Sequence, residues 1–182
     1  NYWRENGISK PGDPQDFQMI YLVDMEHPGL VVFPTHRLVR DLPNFDKEAV
    51  LEKCSEFFYI DEKEGTDTME EDLKKLYDED KKAFGFYCGK GEWFLLTLKN
   101  IDIMSQMLPN VSKASQSLDV SVLHTLILEK IFGIDKENMA KQINLTYTKF
   151  FTEAIDGVDK GEFQCSFVLN PTSCLLYTSD AA

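Results

Sequence analysis

Three short segments of the sequence carry side chains that could do chemistry. The first is Thr35-His36-Arg37, where a hydroxyl, an imidazole and a guanidinium follow an apolar run. An arginine can grip a phosphate or carboxylate through two parallel hydrogen bonds, and a histidine can add a hydrogen bond or transfer a proton. His36 and Arg37 would point to opposite faces of a regular strand, so only one of them can face a given pocket. A structural role explains the pair as well, with His36 hydrogen-bonded and Arg37 paired to an acidic residue.

The second and third segments lie further along the chain. Asp119 and His124 fall in an apolar helical pattern, but five residues turn an α-helix by about 140°, so the two are not a self-contained dyad. Asp119 could simply favour the helix dipole, and His124 could be a hydrogen-bonded histidine beside the apolar stripe. Asn170-Pro171-Thr172 follows a predicted strand, where binding residues often lie, although a plain turn explains it equally well.

Several well-defined enzyme classes are excluded for this sequence. It contains no zinc-protease, serine-hydrolase, P-loop or EF-hand signature. The three histidines, His27, His36 and His124, are too dispersed to predict a metal site. The loop at residues 89–92 contains two glycines but lacks the other elements of a phosphate-binding motif, which favours a turn.

Composition limits the class of partner. The 182 residues include 31 acidic and 19 basic side chains, with a formal net charge of −12, and 43% of the residues are hydrophobic. Such a chain can build a sizeable core, which excludes extended disorder and fibrous classes. Its negative field repels phosphate backbones and acidic lipids, and no run of residues is apolar enough to span a bilayer. We therefore expect neither nucleic acid nor a membrane as partner.

The ends of the chain predict a domain truncated on both sides. The sequence starts at Asn1 with what resembles a helix already under way, and residues 174–182 resemble a translated sequencing-library adapter. We expect residues 1–173 to be the C-terminal portion of a larger domain and 174–182 to be a non-native tail; the alternative is a natural strand and polar tail. Cys54, Cys88 and Cys165 then remain, an odd number without a Cys-x-x-Cys spacing, which indicates a reducing cytoplasm and no disulfide framework.

Periodicity predicts the elements that would position these side chains. Residues 19–25 with 30–39, and 84–88 with 93–98, read as two β-hairpins. The pattern favours an α+β fold, a mixed sheet built from two β-hairpins plus further strands, packed with about four to five helices. Further strands are predicted at 144–147 and 163–169. The first helix is predicted from Asn44 or Asp46 to 58, with a strand start at 57–60 as the alternative. Further helices are predicted within 61–82, at 101–108, from Ser117 or Asp119 to 133, and at 149–158.

Three phrases carry a resemblance to a known family. They are DMEHPGLVVFPTHRLV at 24–39, LDVSVLH followed by LILE at 118–129, and FVLNPT at 167–172. In this order they closely resemble the bacterial and archaeal family called domain of unknown function 1015, over nearly all of residues 1–173. In that family an Asp-Gly-His-His-Arg motif precedes the segment that begins here with Asn1.

That upstream motif looks like the phosphate-binding box of the ParB and free-serine-kinase superfamily. The resemblance implies a nucleotide-dependent, serine-like small-molecule kinase using ATP or ADP with Mg²⁺, of which this chain alone would be inactive. The alternatives are a non-catalytic metabolite-binding regulatory module and a purely structural half of the domain. By the same resemblance, the catalytic residues would be Asp119 and His124, and the phosphate- or substrate-binding residues Thr35, His36, Arg37, Asn170 and Thr172.

Overall fold

The computed structural model describes residues 33–171 and, upstream of these, residues 6, 7, 10, 12, 13, 17, 19 and 20. The chain divides into two compact units, Asn1–Val31 and Val32–Ala182. Within the first unit, the Lys10 N–H donates to the Asp13 carboxylate at 2.7 Å, and the Asp13 N–H donates to the Lys10 carbonyl at 3.2 Å. These two bonds close a tight turn.

The described part of the second unit is built on one antiparallel sheet. Its strands occur along the sheet in the order β2-β4-β3-β6-β1-β5, so β2 and β5 are the edges. Every strand pairing in the described residues is antiparallel. The strands are β1 (His36–Val39), β2 (Phe58–Glu64), β3 (Ala83–Gly89), β4 (Glu92–Leu98), β5 (Leu145–Thr148) and β6 (Cys165–Val168).

Seven α-helices connect the described strands, which confirms the predicted α+β class. The fifth continues directly into a π-helical stretch at Leu123–Ile131, whose wide turns are closed by bonds such as that from the Phe132 N–H to the Ile127 carbonyl, 2.9 Å. The helices are α1 (Lys47–Cys54), α2 (Met69–Asp78), α3 (Ile103–Met107), α4 (Lys113–Gln116), α5 (Asp119–Val122), α6 (Lys136–Lys141) and α7 (Phe151–Asp159).

Helices cover both faces of the sheet and give it two cores. On one face Phe86, Phe94 and Phe167 pack with apolar residues of α1 and of the π-helical stretch. On the other face Tyr87 and Trp93 pack with apolar residues of α2 and α7. Successive strand residues alternate between the two cores, as the pleat of a β-strand requires.

Local sequence signals explain where several elements begin and end. Asp46 caps α1, and its carboxylate accepts from the Glu48 N–H at 3.0 Å. The helix ends at Cys54 instead of 58, because Phe58 already pairs with Leu98 in the sheet. The strand start predicted as the alternative at 57–60 is therefore confirmed. Gly133, with φ of 71°, follows the π-helical stretch as its predicted terminator.

The two predicted hairpins have different outcomes. The second is confirmed, because β3 and β4 pair from Ala83 and Thr97 up to the turn at Gly89. Most of the first, residues 21–32, lies outside the described residues. Its predicted second strand, 30–39, is described from residue 33; residues 33–35 are not in a strand, and residues 36–39 form β1, which pairs with β5 on one side and β6 on the other. The described sheet is thus antiparallel, where the sequence predicted a mixed one, and β1 pairs with strands from the C-terminal third.

The predictions about the cysteines and about membrane-spanning segments can both be compared with the described residues. The three cysteines at 54, 88 and 165 are free thiols, and burial raises the pKa of Cys54 and of Cys88 to about 12. They are therefore protonated packing groups at neutral pH. No helix within the described ranges is long and apolar enough to cross a membrane. The predicted non-native tail, 174–182, lies outside those ranges.

Candidate functional site

The candidate residues are positioned by one end of the sheet. The start of β1, the end of β6 and the start of β3 lie at this end, because Phe167 of β6 is opposite Arg37 of β1 on one side and Phe86 of β3 on the other. We call it the polar end and define it by residues Thr35, His36, Arg37, Lys82, Asp119, His124 and Asn170. Four of these residues, His36, Arg37, Asp119 and Asn170, are buried. Buried polar groups need partners or a function, so their concentration at one end of a sheet marks a candidate site.

Arg37 is buried, with 4% of its surface exposed, and is held from several sides. One guanidinium nitrogen donates to the Thr35 carbonyl, and the Nε–H donates to His124 Nε2 at 3.4 Å. The guanidinium carbon lies 4.9 Å from the centre of the Tyr147 ring, a cation–π distance. These contacts orient the guanidinium before any ligand arrives. His124 itself lies in the π-helical stretch, a type of helix often found at functional sites.

The two histidines lie on opposite faces of the sheet, as the alternation predicted for His36 and Arg37 requires. His36 Nδ1 accepts from the Leu169 N–H at 3.3 Å, and its ring meets Phe151 of α7 edge-on. Burial, and secondarily the charge of Arg37, lower the pKa of both His36 and His124 to about 4. Both rings are therefore neutral at pH 7. A neutral His124 can accept from Arg37, but it is a weak base at that pH.

Asp119 pairs with a residue that the sequence reasoning missed. Its Oδ1 lies 3.4 Å from Lys82 Nζ but without hydrogen-bond geometry, so this buried oxygen keeps an unused lone pair. Burial raises the pKa of Asp119, and the charge of Lys82 partly opposes that rise. Lys82 directly precedes β3, and its carbonyl accepts from the Leu98 N–H at 2.8 Å. The sequence did contain a signal for Lys82. Two consecutive lysines, Lys81 and Lys82, directly precede an apolar strand, and because successive strand residues point to opposite faces, one of the two side chains had to point toward a core.

Asn170 follows β6 and is buried on the α2 side of the sheet. Its amide Nδ2 donates to the Leu73 carbonyl at 2.9 Å, so one role of Asn170 is to tie the chain after β6 to α2. A pocket of about 290 Å³ adjoins it. The pocket is lined by Pro34, by the segment from Val168 to Pro171 and by α2 side chains, among them Glu70, Lys74, Tyr77 and Asp78. Thr172 lies outside the described residues.

The structure joins some of the sequence-predicted site residues and separates others. Arg37, His124 and the Thr35 carbonyl form one contact group, whereas Asp119 contacts Lys82 and Asn170 contacts α2. His36 faces the opposite core, toward Phe151. No group of three or more His, Cys, Asp or Glu side chains that could hold a metal occurs within the described ranges.

Comparison with known proteins gives a family and no relative of known function. No curated protein matches the chain significantly, and neither does any solved structure. A family model described as "Protein of unknown function (DUF1015)" matches residues 1–121. The match includes Arg37, Lys82 and Asp119 and ends before His124 and Asn170. The resemblance described from the sequence extended over nearly all of residues 1–173. Because the match covers well over half of the 182 residues, the chain belongs to the DUF1015 family.

Proposed function

We propose that the polar end binds the phosphate groups of a nucleotide and that the protein is a nucleotide-dependent small-molecule kinase acting on a serine-like hydroxyl. One observation carries the proposal. A buried cation, Arg37, and a half-buried one, Lys82, lie at the same end of the sheet as the buried carboxylate of Asp119, whose pKa is raised by burial. Phosphoryl transfer needs mainly charge neutralisation and positioning, together with a base for the attacking hydroxyl.

Arg37 is the phosphate-binding group in this proposal. A guanidinium presents a planar set of donors that matches two phosphate oxygens, and a fixed guanidinium loses little freedom on binding. The Thr35 carbonyl, the Tyr147 ring and His124 supply that fixation. His124 acts here through Arg37, because its Nε2 accepts from the guanidinium and its lowered pKa makes it a poor base.

Asp119 is the group that we assign to the hydroxyl of the second substrate. Its Oδ1 is buried and has no hydrogen bond within the protein, so it can accept one from a substrate hydroxyl. A raised pKa makes the carboxylate a stronger base than an exposed aspartate, and Lys82 helps keep it ionised. Magnesium in such enzymes commonly binds through one or two carboxylates and the nucleotide's own phosphates, and Asp119 would be its ligand here because it is the one carboxylate among the residues that define the polar end.

A non-catalytic metabolite-binding module is the second candidate. Both groups that could move a proton already have partners inside the protein, Asp119 with Lys82 and His124 with Arg37. Such a site could hold an anionic metabolite without turnover. A purely structural role for these residues predicts loss of stability alone when they are replaced.

The test uses the gene product as encoded, with whatever sequence accompanies residues 1–182. Phosphate release and phosphoserine formation are measured with ATP and with ADP as donors. We expect Asp119→Asn to lower turnover at least about 100-fold with the nucleotide still bound, and Arg37→Gln to weaken nucleotide binding about tenfold or more. Arg40→Gln is the matched control, because Arg40 lies three residues away with its side chain 44% exposed. Saturable nucleotide binding without turnover would favour the metabolite-binding module over the kinase.

A further inference from the structure

Two exposed aromatic rings converge on one lysine beside the polar end. Phe33 is 60% exposed and Phe150 is 50% exposed. Lys149 Nζ lies 5.6 Å from the centre of the Phe33 ring and 5.2 Å from that of Phe150. Single exposed apolar residues are ordinary, but two large exposed rings that both lie within cation–π distance of one ammonium are not. We call Phe33, Lys149 and Phe150 the aromatic platform.

The aromatic platform lies within reach of Arg37. Phe33 is four residues before Arg37, a span of at most about 14 Å in extended chain. Lys149 directly follows β5, whose last residue, Thr148, is opposite His36 in β1. Arg37 also packs on Tyr147 of the same strand. A ligand of nucleotide length could therefore touch both the rings and the guanidinium.

We propose that the aromatic platform stacks the flat heteroaromatic group, a nucleobase, of the ligand whose phosphates bind Arg37. This inference rests on the proposed phosphate site and adds to it the part of the ligand that the site selects. A phenyl ring offers a stacking surface to any base, and the ammonium of Lys149 can then contact a base oxygen or the nearest phosphate. Stacking strength follows ring size, so purines should bind better than pyrimidines, with little further discrimination among them.

The experiment is calorimetric titration of the full chain with ADP and, separately, with inorganic pyrophosphate. Phe150→Leu and Phe33→Leu keep an apolar side chain but remove the stacking surface. We expect each to weaken ADP binding about fivefold and the double variant more, with pyrophosphate binding unchanged. Arg37→Gln should weaken both ligands. Tyr59→Leu is the matched control, because Tyr59 is 63% exposed, has Lys99 Nζ 5.4 Å from its ring, and lies on β2 at the far edge of the sheet.

The outcomes separate the two proposals. If the leucine variants bind ADP with the affinity of the unmodified chain, or if their affinities for ADP and for pyrophosphate fall equally, the aromatic platform is not a base-binding site. The proposed phosphate site is unaffected by that result. If pyrophosphate does not bind at all, the phosphate site fails, and the inference that depends on it fails with it. Thermal melting of each variant shows whether it is folded, so that unfolding is not read as lost binding.

Discussion

The two buried imidazoles, His36 and His124, differ in their partners. His124 accepts from the guanidinium, so a proton added to its Nε2 would meet a cation. His36 accepts from the Leu169 N–H through Nδ1, so its Nε2 carries the proton of the neutral ring, and that buried nitrogen has no hydrogen-bond partner. Protonation of either ring places a new charge in a buried site that does not compensate it.

These two histidines should make the protein unstable in acid. Their folded pKa values of about 4 lie below the unfolded value of 6.5, so the unfolded chain binds more protons between those limits. Stability is therefore lost as the pH falls from about 6.5 to 4, by at most about 3 kcal/mol for each ring. The measurement is urea unfolding at intervals between pH 7.5 and 4.5.

Two substitutions assign that acid sensitivity to its source. His124→Gln keeps an amide at the position of Nε2, and His36→Asn keeps an oxygen at the position of Nδ1, yet neither new side chain titrates. We expect each variant to show a shallower loss of stability below pH 6.5 than the unmodified chain. An unchanged slope in both variants would contradict the neutral-histidine account and assign the acid sensitivity to carboxylates.

Only part of this residue-level arrangement follows from the sequence. Strand alternation correctly separates His36 from Arg37, because it depends on neighbours in the chain. The contact between Arg37 and His124 joins residues 87 positions apart, and the pair Lys82–Asp119 depends on how a helix start meets a strand start. Nothing local specifies either contact. Sequence reasoning could therefore name Arg37, Asp119 and His124 as candidates and could not say which would meet.

At the scale of elements, the ion pair between Lys82 and Asp119 ties the start of α5 to the start of β3. The Lys82 side chain is 15% exposed and that of Asp119 8% exposed, so removing Lys82 leaves a buried carboxylate without its ion pair. Removing Asp119 leaves the Lys82 ammonium with one remaining partner, the exposed Asp80 at 3.8 Å. We expect Lys82→Met or Asp119→Asn alone to cost about 2 kcal/mol or more. The double variant should cost less than the sum of the two, which chemical denaturation of the four proteins measures.

Lys81→Met is the matched control for this double-mutant cycle of Lys82 and Asp119. Lys81 is the neighbouring residue, its side chain is 53% exposed, and it pairs with Glu79 on the surface. Its replacement should change the free energy of unfolding by less than about 0.5 kcal/mol. Strictly additive losses in the Lys82 and Asp119 cycle would mean that the two residues stabilise the fold independently.

Gly157 sets how closely α7 approaches the sheet. A Cβ at this position would lie 2.9 Å from Phe163 Cδ2 and 3.2 Å from Leu38 Cδ2. Alanine favours the helix over glycine by about 1 kcal/mol, but the overpacking costs about 1–3 kcal/mol. We expect Gly157→Ala to lower the melting temperature, whereas Thr152→Ala, on the exposed side of α7, should leave it unchanged or raise it. A more stable Gly157→Ala would show that Phe163 moves aside freely.

Elements made by neighbouring residues were predictable, and those that depend on distant partners were not. The β3–β4 hairpin has its alternation and its turn within sixteen residues, so its pattern is complete in the sequence. The short helices α4 and α6 are missing from the prediction because four or six residues give too little periodicity. The apolar residues after Val122 recur at ordinary α-helical spacing, so the sequence predicted an α-helix there and gave no sign of the wider π-helical turns.

At the scale of the whole molecule, the sheet separates two cores, and charge is spread over the helical outer layers. The apolar residues at the centre of the sheet, such as Tyr87 and Phe86, alternate between the cores and so couple them through one set of strands. Five of the described ion pairs join two exposed side chains, where each pair contributes little to stability. The formal charge of −12 therefore acts mainly as a repulsion across the surface.

This excess of negative charge predicts the direction in which salt changes stability. Repulsion among exposed acids reaches over about 30 Å at 0.01 M salt and about 10 Å at 0.1 M, so added salt should relieve it. We expect the melting temperature to rise by about 3 °C between 0.01 and 0.2 M sodium chloride at pH 7.5, which corresponds to about 1 kcal/mol for a chain of this size. Glu52→Lys, on the exposed side of α1 near its C-terminal end, removes one of those acids and favours the helix dipole. The substitution should therefore raise the melting temperature at low salt and lose most of that gain at high salt. If instead the melting temperature of the unmodified protein falls as salt is added, the surface ion pairs outweigh the repulsion from the net charge.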